Sequence, residues 1–68
     1  MKVEVIDVPD STERWVEVRG AQDADWPEVE LNLSNRQRRQ LHGYENTGVR
    51  TFVEDEGILV DMWIFEEE

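Results

Sequence analysis

The stretch that most constrains this chain is one well-delimited helix, LSNRQRRQLHG at residues 33–43. Ser34 is a favoured N-cap residue, and Gln37 stands three positions later, where it completes a capping box. Gly43 occupies the position at which many helices end in a left-handed conformation. A helix of about ten residues is marginally stable alone, so it has to pack on another element. The sequence therefore predicts one helix lying on a sheet.

Residues 2–8 and 13–19 supply the first two strands of that sheet. Both segments alternate apolar and charged side chains, and residues 9–12, Pro-Asp-Ser-Thr, form a strong turn between them. The pattern predicts an antiparallel hairpin whose register is set by the turn. The expected cross-strand pairs are Val3–Val18, Glu4–Glu17, Val5–Val16, Ile6–Trp15 and Asp7–Arg14.

A second hairpin is predicted from residues 49–54 and 58–65, but its turn has two interpretations. A two-residue turn at Glu56 and Gly57 requires a positive φ at Glu56, whereas a three-residue loop uses Gly57 as a bulge residue and matches the strand faces differently. The two-residue turn is the favoured one. It pairs Val49–Ile64, Arg50–Trp63, Thr51–Met62 and Val53–Val60.

Residues 28–33, EVELNL, also alternate and are predicted to form a short strand that leads into the helix. Residues 20–27 contain glycine, two aspartates and proline, and are expected to form an exposed loop pinned by Trp26. The predicted fold is thus α+β, a small antiparallel β-sheet with one helix packed on one face in the order β-β-β-α-β-β. We expect residues 1–68 to form a single domain.

The favoured registers predict an aliphatic sheet face under the helix and an aromatic, acidic face opposite. The aliphatic face would carry Val3, Val5, Val16, Val18, Val29, Leu31, Val53, Ile58, Val60, Met62 and Ile64. The other face would carry Ile6, Trp15, Phe52, Leu59, Trp63 and Phe65 among Glu4, Glu17, Glu28, Glu30, Glu54 and Asp61. An uncovered aromatic patch indicates an interface. The alternative is that the Trp26 loop or the C-terminal residues fold across it.

The charge balance indicates the kind of partner. Seventeen acidic residues against seven basic ones give a formal net charge of −10, which disfavours direct contact with nucleic acid or anionic membranes and favours a basic protein. No run approaches the roughly 20 apolar residues of a membrane span, and there is no cysteine. We expect a cytoplasmic protein.

No catalytic, metal or cofactor motif is present. His42 is the only histidine, and no cysteine, Ser-His-Asp order or HExxH accompanies it. Asp23, Asp25 and Glu28 lack the spacing of an EF-hand loop. The sequence therefore predicts a protein that is not an enzyme and binds no cofactor.

Three of the seven basic residues, Arg36, Arg38 and Arg39, lie on the predicted helix. The first interpretation is that they pair with the chain's own carboxylates while their methylene stems cover apolar surface. The second is a site for phosphate or an acidic partner.

The function predicted from these features is a small acidic interaction protein whose carboxylates engage a basic, nucleic-acid-binding protein by imitating a nucleic-acid backbone. Same-face residues along a strand lie about 6.6–7 Å apart, close to phosphate spacing, and phage inhibitors of host nucleases often have this size and charge, an analogy only. The alternative is an assembly module that forms a homodimer through the aromatic face. The expected partner-binding residues are Glu4, Trp15, Glu17, Glu28, Glu30, Phe52, Glu54, Asp61 and Trp63.

Overall fold

The structure is a computed structural model that describes residues 1–68. Its elements are β1 (Lys2–Asp7), β2 (Glu13–Arg19), α1 (Trp26–Leu31), α2 (Asn35–Gln40), β3 (Tyr44–Asp55) and β4 (Ile58–Glu67). The four strands form one antiparallel sheet in the order β1-β2-β4-β3. The α+β class is confirmed, but the predicted element order is wrong, because the chain runs β-β-α-α-β-β. Neither helix has the length and apolar character needed to cross a membrane.

The first hairpin has the predicted register throughout, from Lys2 opposite Arg19 to Asp7 opposite Arg14. In the turn, Asp10 adopts a positive φ of 57°, and the Ser11 hydroxyl accepts a hydrogen bond from the Glu13 amide at 3.0 Å. These short-range contacts hold the two strands in register.

The second hairpin has the two-residue turn, so the three-residue loop is wrong. Glu56 and Gly57 have φ values of 50° and 78°. Both residues are therefore left-handed, which a type I′ turn requires of its two central residues. Val53 lies opposite Val60, and the other predicted pairs follow as far as Arg50 and Trp63. The Val49–Ile64 pair is absent, because an irregularity between Asn46 and Arg50 shifts the register. Residues 44–48, which precede the predicted strand of residues 49–54, also belong to β3.

The pairing of β2 with β4, which joins the two hairpins, places several residues on a different sheet face from the one predicted. Val16 lies opposite Trp63 and Arg14 opposite Phe65, so these aromatic residues share a face with the valines of β1 and β2. This helix-covered face carries Val3, Val5, Val16, Val18, Arg50, Phe52, Asp61, Trp63 and Phe65. The open face carries Glu4, Ile6, Trp15, Glu17, Val53, Val60, Met62 and Ile64. Trp15 and Trp63 therefore lie on opposite faces, and the separation into an aliphatic and an aromatic face is wrong.

Residues 26–31 form helix α1, where a strand was expected from residue 28 onward. Asp25 occupies the N-cap position and Pro27 lies in the first turn, where its missing amide costs no hydrogen bond. In the helix Val29 is buried, whereas Leu31, two residues on, is 82% exposed. A strand would have placed both side chains on one face.

Trp26 covers the aromatic residues of the sheet. Its ring centroid lies 5.6 Å from that of Trp63 at an interplanar angle of 61°, and 5.0 Å from that of Phe65. The second interpretation of the aromatic patch, that the Trp26 segment folds across it, is thus confirmed for these two residues, although on the same face as the valines. They join one core with Val3, Val16, Val18, Ala24, Val29, Leu33 and Leu41.

Helix α2 has the predicted capping box at its N-terminus, but it ends earlier than predicted, because its C-cap residue is Leu41 and not Gly43. The Ser34 hydroxyl accepts a hydrogen bond from the Gln37 amide at 3.1 Å, and the Gln37 side chain accepts one from the Ser34 amide at 2.9 Å. Gly43 has a φ of 85°. The Gln37 side chain also donates to the carbonyl of Val3 at 2.7 Å, which fixes α2 beside the edge strand β1.

Candidate functional site

The nine residues expected to bind a partner do not form one surface. Their positions follow from the register and the helix bounds. Glu4, Trp15 and Glu17 lie on the open face, Glu28 and Glu30 on α1, and Phe52, Glu54, Asp61 and Trp63 on the face that the helices cover. The expectation that their six carboxylates share one face is therefore wrong.

Asp61 is the most buried of these residues, with 1% of its surface exposed. Both carboxylate oxygens accept hydrogen bonds from Arg50 Nε, at 2.8 and 2.9 Å. The guanidinium also donates to the Ala24 carbonyl at 3.0 Å, and it lies 4.6 Å from the Trp63 ring centroid and 5.0 Å from that of Phe52. The hydrogen bond to Asp61 raises the pKa of Arg50 above its ordinary value. The pair joins the loop before α1 to the sheet.

Much of the open face is covered by its own side chains. Arg19 Nε donates to Glu17 at 2.6 Å, and Arg19 Nη2 donates to Asp55 at 3.0 Å. Because β4 lies between β2 and β3, Arg19 reaches across β4, where Val60 is 1% exposed. The pKa of Arg19 is raised, first by its hydrogen bond to Glu17 and then by that to Asp55. Trp15 Nε1 donates to Glu13 at 3.1 Å.

The exposed apolar surface is concentrated instead at the end of the second hairpin. The pairing of β4 with β2 extends only to Asp61, opposite Val18, so residues 58–60 have β3 as their one ladder partner. We call residues 52–59 the hairpin overhang. Its large apolar side chains are between 40% and 52% exposed. These are Phe52, Val53, Ile58 and Leu59.

The overhang is apolar on both faces and acidic at its tip. The register puts Phe52 and Leu59 on one face, and Val53 and Ile58 on the other. Residues 54–56, Glu-Asp-Glu, lie between them. A depression of about 340 Å³ adjoins the tip, lined by Gly20, Ala21, Gln22, Gly57, Ile58 and Leu59.

The sequence contains a signal for this surface that the alternation of apolar and polar residues does not reveal. Phe52-Val53 and Ile58-Leu59 are two pairs of consecutive apolar residues that flank a tight turn. In a strand, consecutive side chains point to opposite faces, so two adjacent apolar residues make both faces apolar. Such a pair is typical of a strand covered on both sides, whereas here all four side chains remain at least 40% exposed.

The helix arginines do not pair with the chain's own acids. No carboxylate lies within 4 Å of Arg36, Arg38 or Arg39, so the first interpretation of these residues is wrong with respect to ion pairing. Arg38 Nη2 donates to the backbone carbonyl of Glu30 at 2.6 Å. His42 is exposed just beyond α2. No group of three or more histidine and carboxylate side chains is placed to hold a metal ion.

No family model, curated protein or solved structure matches this chain. The features of this chain that bear on its function are therefore the geometry of the hairpin overhang and the distribution of charge.

Proposed function

We propose that this protein is a small acidic interaction protein that binds a basic protein partner through the hairpin overhang. The observation that carries the proposal is the presence of four exposed apolar side chains, two on each face, around three consecutive acids. Monomeric proteins rarely leave such an apolar cluster uncovered unless it binds something. A partner that covers this end would bury an apolar centre and meet a charged rim, as in ordinary interfaces.

The charge of the chain supports a basic partner. The overhang carries Glu54, Asp55 and Glu56, of which Asp55 is bonded to Arg19. Glu54 and Glu56 are exposed and in no ion pair, and the chain as a whole has a formal charge of −10. Lysines and arginines on a partner would be attracted at long range and would associate faster at low salt.

Imitation of a nucleic-acid backbone is a more specific form of this proposal. It requires a regular row of exposed carboxylates. The six acids of the predicted acidic face are instead divided among two sheet faces and α1, and the Asp61 carboxylate is bonded to Arg50. We therefore rest the proposal on an apolar centre with an acidic rim. Competition between nucleic acid and this protein for the identified partner would support the mimicry form as well.

The experiment is capture of partners by the immobilised protein, followed by calorimetric titration of each purified partner. Val53→Ser with Ile58→Ser should weaken binding at least about tenfold, which corresponds to roughly 1.4 kcal/mol. Glu54→Gln with Glu56→Gln should weaken binding most at low salt. The matched controls lie on α1: Leu31→Ser for the apolar change, and Glu28→Gln with Glu30→Gln for the charge change. Equal losses in the control variants, or a partner without excess positive charge, would contradict the proposal.

The alternative function is assembly with a second copy of the chain. The supporting observation is that β3 is an edge strand, and an unpaired apolar edge is a template for pairing with another strand. Sedimentation velocity across a range of concentrations and salt tests it. A dimer that Val53→Ser and Ile58→Ser dissociate would replace the basic partner with a second copy.

A further inference from the structure

The basic residues of this protein fall into two groups. Each of the four outside α2 forms an ion pair with at least one carboxylate. These are Lys2, Arg14, Arg19 and Arg50. The other three, Arg36, Arg38 and Arg39, form none, although the chain has seventeen acidic residues. The lysine and arginine side chains that form no ion pair are thus all collected on one short helix of a strongly acidic protein.

The surroundings of α2 leave these arginines accessible. Arg36 and Arg39 are exposed, and the rest of the helix consists of asparagine and glutamines. Glu4 and Glu30 line the two neighbouring depressions without approaching any of the three guanidinium groups within 4 Å. The positive groups therefore remain free to meet an anionic group from outside.

An apolar depression adjoins Arg38, one of the three arginines. It has a volume of about 240 Å³ and is lined by Trp26, Glu30, Leu33, Arg38, Leu41 and Phe65. The hydrogen bond from Arg38 to the Glu30 carbonyl holds this guanidinium at the edge of the depression, between the two helices. A ligand seated there would meet apolar side chains and a positive charge at neighbouring points.

We propose that α2 and this depression form a second interaction surface, which binds a short acidic peptide segment that carries an apolar side chain. Guanidinium groups match carboxylates in a planar, two-bond geometry, and such charge-assisted hydrogen bonds are the stronger ones. The apolar side chain of the segment would enter the depression. The surface goes beyond the proposed function, because it selects the opposite charge.

A short segment fits better than a long polyanion. α2 is six residues long, and at 1.5 Å per residue it spans only about 9 Å. A nucleic acid would extend past the arginines onto a surface of net charge −10. A short segment avoids those acids, because charges more than about 8 Å away are largely screened at physiological salt.

The two surfaces lie toward opposite edges of the sheet. α2 is tied to β1 through Gln37 and Val3, whereas the hairpin overhang belongs to β3 and β4, and the strand order places β1 and β3 at the two edges. Occupation of one surface need not block the other, so each can be tested with the other intact.

The experiment is an NMR titration of the full chain with three probes: a short synthetic peptide of alternating glutamate and leucine, a polyglutamate peptide of equal length, and a single-stranded oligonucleotide. The alternating peptide should shift the amide signals of residues 34–43. Arg36→Gln with Arg39→Gln should weaken its binding about tenfold, as expected for loss of two exposed ion pairs. The matched control is Lys2→Gln with Arg19→Gln, which removes two paired positive charges from the open face.

Three results would overturn the inference: no shifts in residues 34–43, equal weakening by the test and control variants, or an oligonucleotide that binds as tightly as the alternating peptide. Polyglutamate that binds as well as the alternating peptide would overturn the role of the apolar depression. None of these results bears on the hairpin overhang, so the proposed function is tested separately.

Discussion

Arg50 and Asp61 form a buried diagonal pair across β3 and β4, in which Arg50 Nε donates to both carboxylate oxygens at 2.8 and 2.9 Å. The same guanidinium donates to the Ala24 carbonyl, so a single side chain connects the sheet to the segment that leads into α1. Neither partner is free to serve a ligand.

Arg50→Ala should destabilise the domain by about 3 kcal/mol or more, because it leaves the carboxylate of Asp61 buried and unpaired. Urea denaturation followed by tryptophan fluorescence measures the change. Arg50→Met combined with Asp61→Leu should recover part of the loss, since no charge is left buried. A single variant as stable as the wild type would contradict the structural role of the pair. Lys2→Ala, at the exposed ion pair with Glu4, is the control and should shift the midpoint little.

Ser34→Ala should lower the free energy of unfolding by about 1 kcal/mol, because the amide of Gln37 loses its cap acceptor. Ser34→Asp retains an acceptor at the N-cap and should remain within about 0.5 kcal/mol of the wild type. Chemical denaturation of the three proteins decides the matter. Equal stability of the alanine and aspartate variants would show that the hydroxyl does not cap α2.

Trp26→Ala should destabilise the domain by about 3 kcal/mol, because it uncovers the rings of Trp63 and Phe65 and leaves a cavity beneath α1. Leu31→Ala on the same helix should change stability by no more than about 0.5 kcal/mol, since that side chain is almost fully exposed. Thermal unfolding by circular dichroism compares the two. Similar losses from both substitutions would mean that Trp26 does not cover the sheet.

Glu56→Asn should stabilise the protein by about 0.5–1 kcal/mol. Glu56 has a φ of 50°, and Asn-Gly is preferred in a type I′ turn because asparagine tolerates the left-handed conformation. Glu54→Asn removes the same charge from a strand position and serves as the control. If both substitutions stabilise the protein equally, relief of charge repulsion and not the backbone conformation is responsible.

Much of the local structure could be predicted from the sequence. The capping box of α2 and the registers within the two hairpins each depend on residues that lie a few positions apart around a turn or helix end. The positive φ at Glu56 also followed, because two strands aligned at Val53 and Val60 leave only two residues for the turn. These features require no knowledge of what the elements pack against.

The character of residues 26–33 was ambiguous for a physical reason. EVELNL alternates with period two, while Trp26, Val29 and Leu33 recur with the spacing of a helix face. Both patterns are present in the same residues. The helix prevails in the fold because it places Trp26 over Trp63 and Phe65, a contact that becomes available only when the sheet exists.

What the sequence alone determined about this protein is therefore its α+β class, its two hairpin turns, the capping box of α2 and most of the pairing inside each hairpin. Only the tertiary structure decided how the hairpins join, and a displacement of one residue at that junction exchanges the two faces of a strand. That junction sets Val16 against Trp63 and lets β4 extend past the last β2 pair at Asp61. The helix-covered face, the buried Arg50–Asp61 pair and the exposed overhang all follow from it, because distant strands are aligned by the packing of the whole core and not by any turn between them.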